Sequence, residues 1–175
     1  MWEGPQCPDS SVKDAPHSSD LRLHRLSQTP ATFFVTKSLH PKKAILDESV
    51  RDIIVSALAF GVKHKRIHLR AFVVMPDHWH ALCALREPWT LPKFMHDIMS
   101  YVGAKTAAIL TTHETSWQDG YYDTRVKTAN QFEFVASYIE QNPVMKELVE
   151  AAEDWLASSS KRKDLVTEPW PWVYD

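Results

Sequence analysis

Two apolar runs, residues 67–75 and 78–85, stand on either side of a Pro76-Asp77 pair, and nothing else in the chain restricts its fold as strongly. Proline presets the backbone for a turn and aspartate favours its closure, so the runs pair as an antiparallel hairpin. The local sequence is Met75-Pro76-Asp77-His78-Trp79-His80-Ala81-Leu82, with two histidines where the second strand leaves the turn. Side chains alternate along a strand, so His78 and His80 share one side while Trp79 points into the opposite, core side. Two imidazoles side by side form half of a metal site. With nine histidines in 175 residues, a His-x-His match is expected about 0.5 times by chance. The pair therefore gains meaning only from the residues that join it.

The remaining elements follow from periodicity. Residues 31–39, centred on Phe33, Phe34 and Val35, read as a strand closed by His40-Pro41. Asp47 opens a helix through Lys63, with Val50, Ile53, Ile54, Ala57 and Leu58 at helical spacing. Residues 91–110 form a second helix on Phe94, Ile98 and Val102, and residues 117–126 a turn and a short strand. Asn130 is the expected N-cap of a third helix, with Glu133 completing a capping box, and Phe132, Val135, Ala136 and Ile139 form its buried stripe. The order strand, helix, strand, strand, helix, strand, helix implies an α+β fold, a mainly antiparallel sheet packed by helices.

At 44% hydrophobic content the chain supports one core of ordinary size. The expected organisation is a disordered arm over residues 1–20, a domain over residues 21–157 and a tail over residues 158–175. The arm lacks the pattern of a secretory signal, and no apolar stretch has the length of a membrane span. Cys7 and Cys83 provide neither a disulfide framework nor a cysteine zinc motif, so a reducing cytoplasm is the expected compartment. A formal charge of -2 argues against a generic polyanion binder. Between Arg22 and Arg70, however, ten basic residues face three acidic ones, while residues 131–154 carry six acidic residues against Lys146. The bland reading is two solvated faces; a confined nucleic-acid surface gives the same pattern.

Tyr138 and Asn142, four residues apart on the third helix, lie one above the other beside its buried stripe. Pro143 disfavours helical geometry at Asn142, so the helix is expected to end or kink there. Taken alone, Tyr138 is a boundary aromatic and Asn142 a turn residue. Taken with His78 and His80 they make chemical sense: two neutral imidazoles and an amide oxygen hold a divalent ion, Mg²⁺ or Mn²⁺, with positions open to polarise a phosphoryl oxygen. A tyrosine hydroxyl beside that ion is a competent nucleophile. The aryl phosphodiester it forms conserves bond energy, so cleavage reverses into rejoining without ATP.

These residues resemble those of the REP-associated tyrosine transposases, relatives of the IS200/IS605 transposases in the HUH endonuclease superfamily. The similarity rests on Met75-Pro76-Asp77-His78-Trp79-His80, on Trp117-Gln118 with Tyr121-Tyr122-Asp123, and on Tyr138-Ile139-Glu140-Gln141-Asn142-Pro143-Val144, and it extends from Ala31 to Ser159. The resemblance implies a ferredoxin-like sheet, Tyr138 as nucleophile, and His78, His80 and Asn142 as ligands of the metal. It also implies single-stranded DNA with a hairpin as partner, cleavage and rejoining through a 5′-phosphotyrosine, and action as a monomer or as a homodimer that exchanges the tyrosine helix. One departure stands out. Such proteins usually continue with a basic residue and a glycine before Leu-Val, whereas here Met145-Lys146-Glu147 precede Leu148-Val149. That leaves the chemistry intact and bears on hairpin affinity.

His-x-His also opens the metal sites of (α/β)8 barrels and cupins, but the chain is too short for the first and too helical for the second. A non-catalytic protein that binds a DNA or RNA hairpin is one remaining alternative, and a plain α+β domain with accidental motifs is the other. The complete set Tyr138, His78, His80 and Asn142 favours the enzyme. Tyr121 and Tyr122 lack a partner four residues on and read as packing or base-stacking residues. His64 and His68, in a basic run, read as solvated or phosphate-contacting. Trp170 and Trp172 read as an apolar tail docked on its own domain or stacked on nucleic acid.

Overall fold

The structure, a computed structural model, describes residues 31–40, 46–109 and 117–170. The expected N-terminal arm, Lys42, Lys43, Leu110 and Trp172 lie outside the described residues. Along the chain come β1 (Thr32–Ser38), α1 (Glu48–Lys63), β2 (Ile67–Val74), β3 (His78–Leu85), α2 (Leu91–Ile109), β4 (Tyr122–Val126) and α3 (Ala129–Met145). Two short 3₁₀ turns, Ala152–Asp154 and Lys163–Leu165, follow.

The four strands form one sheet in the order β2-β3-β1-β4, with every neighbouring pair antiparallel. β1 and β2 therefore run the same way with β3 between them, a split βαβ unit and the ferredoxin-like arrangement. The hairpin closes where predicted, with the Met75 N–H donating to the His78 carbonyl at 2.8 Å.

Burial assigns the faces. Phe33, Val35, Phe72, Val74, Trp79, Ala81, Cys83 and Leu85 pack with Val50, Ile54 and Leu58 of α1 and Phe94, Ile98 and Val102 of α2. The Asp47 side chain accepts from the Val50 N–H at 2.9 Å, which starts α1 where the sequence placed it. Gly61 is where the two helices meet, since a Cβ there would lie 3.0 Å from Cε2 of Phe94. On the opposite face Phe34, Ala71, Val73 and Leu82 pack with Phe132, Val135, Ala136 and Ile139 of α3. Full burial of three such large side chains is worth about 1.5–3 kcal/mol each, enough to fix α3 on the sheet. A register shift between Leu69 and Ala71 leaves Arg70 at the irregularity, where it pairs with Glu140 (3.4 Å) and Glu133 (3.9 Å) of α3.

Two local expectations are corrected. α3 is capped by Thr128, whose hydroxyl accepts from the Gln131 N–H at 3.2 Å, while the Gln131 side chain accepts from the Lys127 N–H at 3.0 Å. The cap therefore lies two residues before Asn130, and the Gln131 side chain reaches back one residue further than in a capping box, to the residue before the N-cap. Of the two outcomes expected at Asn142, an end or a kink, the end is excluded: the helix runs through Pro143 to Met145. Proline deletes only one N–H from the last turn, and the end is closed beyond it, where Leu148 N–H donates to Pro143 O and Glu147 N–H to Val144 O, each at 2.9 Å. That pair of bonds requires a left-handed residue, and Glu147 supplies it with φ 56°.

After α3 the chain returns along the outer edge of β2. Val74 N–H donates to Ala157 O (2.9 Å), Ser159 N–H to Phe72 O (2.8 Å) and Thr167 N–H to Leu69 O (2.7 Å), so this part of the edge is paired. Trp170 docks on the domain, its ring 5.1 Å from Phe132 and 6.2 Å from His68.

Candidate active site

The site lies between the β3–β1 part of the sheet and α3. His78 and His80 are on the α3 side because residues two apart in a strand share a face, and their rings meet edge-on at 4.5 Å. Register places Thr36 of β1 directly opposite His80, and Ser38 opposite His78. Thr36 Oγ1 is 2.8 Å from His80 Nδ1, and Asp77 Oδ1 is 2.6 Å from His78 Nδ1. Phe34 forms the apolar floor, 5.2 Å from the His80 ring and 6.2 Å from that of Tyr138. From above, the Tyr138 ring comes within 5.7 Å of the His80 ring in the same chain. Asn142, 2% exposed, follows one turn later on the same face of α3.

The electrostatics suit lone-pair donation. Burial, assisted by the neighbouring His78, lowers the His80 pKa to about 3 against a smaller opposing effect of Asp77. Its imidazole is thus neutral across the physiological range. The hydrogen bond to His78 holds the Asp77 carboxyl below the ordinary carboxylate range, although burial opposes it. A neutral imidazole that donates through Nδ1 presents its lone pair at Nε2.

Those lone pairs have no protein partner. His78 Nε2, His80 Nε2 and Asn142 Oδ1 are all buried without a hydrogen bond. Leaving a buried polar atom unsatisfied costs about 1–3 kcal/mol, so three such atoms around one tyrosine call for a ligand that accepts electron pairs. The donor set of two nitrogens and an amide oxygen fits a divalent cation. Among the described residues no three His, Cys, Asp or Glu side chains form a metal cluster. The candidate set is therefore completed by an amide.

Of the residues singled out from sequence, His78, His80 and Tyr138 lie ring to ring, with Asn142 one turn beyond Tyr138 on α3, and the other candidates lie elsewhere. His64 caps α1 and stacks on Phe60 at 4.0 Å, while His68 in β2 lies 3.1 Å from Arg86. Tyr121 packs against the α1/α2 core, as does Trp79, whereas Tyr122 is on the α3 side. Two contributors escaped the sequence reading. Asp77 adjoins His78 in sequence but reads there only as a turn residue; Thr36 carries no signal until β1 is known to lie beside β3. The basic stretch is also partly engaged within the fold. Lys37 is buried with its ammonium on the Gln118 and Gly120 carbonyls, Arg51 lies over Trp155, Arg66 pairs with Asp97, and Arg70 with Glu140.

A ferredoxin-like sheet that sets a His-x-His strand under a helix-borne tyrosine and asparagine defines a transposase-type protein. The chain belongs to the IS200-like transposase family, whose pattern it matches over residues 33–142. It is 24% identical over 135 residues to the REP-associated tyrosine transposase of Escherichia coli (strain K12), covering 75% of this chain and 77% of that protein. The fold is shared with a solved REP-associated tyrosine transposase bound to a REP hairpin, at a TM-score of 0.66 and 21% identity over 86% of this chain and 91% of that one. Among the described residues no helix is long and apolar enough to cross a membrane.

Proposed function

We propose that this transposase is a divalent-metal-dependent endonuclease that cleaves and rejoins single-stranded DNA beside hairpins, with Tyr138 as nucleophile and His78, His80 and Asn142 as metal ligands. The observation that carries this reading is the trio of buried, unpartnered atoms His78 Nε2, His80 Nε2 and Asn142 Oδ1 beside Tyr138. The hairpin is inferred from the family and from the hairpin held by the structural relative.

The Tyr138 phenolic oxygen attacks the phosphorus of the strand. A tyrosyl O–P bond forms, the P–O3′ bond breaks, and the proton lost by the phenol is balanced by protonation of the departing 3′ oxygen. The protein is left on the 5′ phosphate and a 3′ hydroxyl is released; attack by a 3′ hydroxyl reverses the exchange. When bound, the metal polarises the phosphoryl oxygen and stabilises the charge developing there. Thr36 and Asp77 orient the imidazoles, Phe34 excludes water from beneath them, and α3 holds Tyr138 over His80 of its own chain.

The test is to incubate the protein with hairpin-flanked oligonucleotides and Mn²⁺ and to resolve a covalent adduct on a denaturing gel. Wild-type protein should form the adduct and Tyr138→Phe should not. An adduct with the phenylalanine variant assigns the nucleophile elsewhere, and hairpin binding without any adduct establishes the non-catalytic alternative.

A further inference from the structure

The face that carries His78 and His80 is covered unevenly. α3 packs over β2 and β3, and Ala71, Val73 and Leu82 are buried beneath it. Beside them the same face of β1 and β4 is buried at Phe34 and Val126 but exposed toward the histidine end: Thr36 and Ser38 are half-buried, and Tyr122 and Thr124 are exposed. The strand register runs straight across this face, from Val73 to His80 to Thr36 to Tyr122. Opposed residues point to the same side with Cβ atoms roughly 5 Å apart, so Tyr122 stands about 10 Å from His80, two strands away. Tyr122 is 51% exposed. Tyr121 and Asp123, by alternation, point to the other side. The shelf between Tyr122 and the histidines is therefore lined by the Thr36, Ser38 and Thr124 hydroxyls and bears no β4 carboxylate.

The turn that delivers Tyr122 is held rigidly. The buried Lys37 ammonium donates to the Gln118 carbonyl and, at 2.6 Å, to that of Gly120, while Gln118 N–H donates to Ser38 O at 3.0 Å. An exposed aromatic ring on a backbone ordered in advance loses little entropy when something stacks on it.

We propose that Tyr122 is a stacking platform for an unpaired base of the strand being cleaved, on the β4 side of the scissile phosphate. The proposal rests on the reading of the protein as a single-strand nuclease and assigns where the strand lies. A span of about 10 Å corresponds to roughly three stacked nucleotides at about 3.4 Å each. Stacking uses the π-face common to all bases, so the platform positions the strand with little regard to sequence. Tyr122 acts on the base; the phosphorus is left to Tyr138.

The test uses a hairpin oligonucleotide with 2-aminopurine placed in turn at each unpaired flanking position, bound to full-length Tyr138→Phe so that the strand stays intact. Fluorescence should be quenched at a flanking position within a few nucleotides of the cleavage point. Tyr122→Ala should abolish that quenching and weaken binding roughly five- to one-hundred-fold. Tyr122→Phe, which keeps the ring, should restore both. Unchanged quenching and affinity in Tyr122→Ala overturn the proposal, as does a Tyr122→Phe variant as impaired as the alanine, or an adduct mapped to Tyr122 in the wild type. If wild-type protein binds no hairpin oligonucleotide, the single-strand reading fails with it; if the wild type binds and the ring makes no difference, the platform alone fails.

Discussion

Thr36 Oγ1 lies 2.8 Å from Nδ1 of His80, a contact between two strands whose residues are 44 positions apart in sequence. It fixes the orientation of an imidazole that is 1% exposed and whose other nitrogen has no protein partner. Partners of this kind tune metal affinity about 10- to 100-fold through the ligand they orient. Thr36→Val, which keeps the shape and removes the hydroxyl, should weaken Mn²⁺ binding by that factor in a calorimetric titration, and Thr36→Ser should recover most of it. Equal affinity in all three proteins would leave Thr36 a packing residue.

Replacing His78 tests ligation. Its side chain is 12% exposed, bonded to the exposed Asp77 and edge-on to the His80 ring, so His78→Ala removes packing as well as a ligand. The variant should stay folded with a loss of about 0.5–3 kcal/mol, while losing measurable metal binding and DNA cleavage. Retained Mn²⁺ binding would remove His78 from the ligand set.

Glu147 sits at φ 56° in the bonds that close α3. A residue with a Cβ is strained there by about 1–2 kcal/mol, offset in part by the greater unfolded-state entropy of glycine. Glu147→Gly should therefore raise stability by about 0.5–1 kcal/mol in a denaturant titration, with DNA cleavage unchanged. A lower midpoint would show that the Glu147 side chain contributes more than its backbone strain costs.

Lys37 joins β1 to the turn before β4. Lys37→Met preserves the buried stem and leaves the Gln118 and Gly120 carbonyls without their donor, at about 1–3 kcal/mol for a carbonyl that water does not reach. The melting temperature should fall, and hydrogen exchange should accelerate first in residues 117–122, ahead of the β2–β3 hairpin. Uniform acceleration throughout the sheet would mean that Lys37 supports the core as a whole.

Apart from the ferredoxin-like sheet, which the resemblance implied, what the residue pattern revealed depends on contacts close along the chain. The hairpin follows from two apolar runs and a Pro-Asp turn, α1 from Asp47 and its periodic apolar positions, and the pairing of His78 with His80 and of Tyr138 with Asn142 from spacings of two and four. Backbone geometry alone sets those spacings, so no tertiary information is needed. The ends of α3 were less legible. Thr128 and Asn130 are both competent caps, and the choice depends on where β4 releases the chain after Val126; Pro143 is tolerated because its missing N–H falls in the last turn, which Glu147 and Leu148 close beyond it.

Only the tertiary structure decided what lies beside what. The order β2-β3-β1-β4 is a matter of long-range pairing, and it alone puts Thr36 against His80 and Tyr122 in the same row. The same holds for charge. Ten basic residues between Arg22 and Arg70 look alike in sequence, yet Lys37, Arg51, Arg66 and Arg70 are engaged by carbonyls, rings and carboxylates brought from distant segments. A one-dimensional pattern specifies which face of its own element a side chain occupies. Which side chain meets it there is set by packing the elements together, and that is what puts the Tyr138 ring over His80 and the Thr36 hydroxyl beside it.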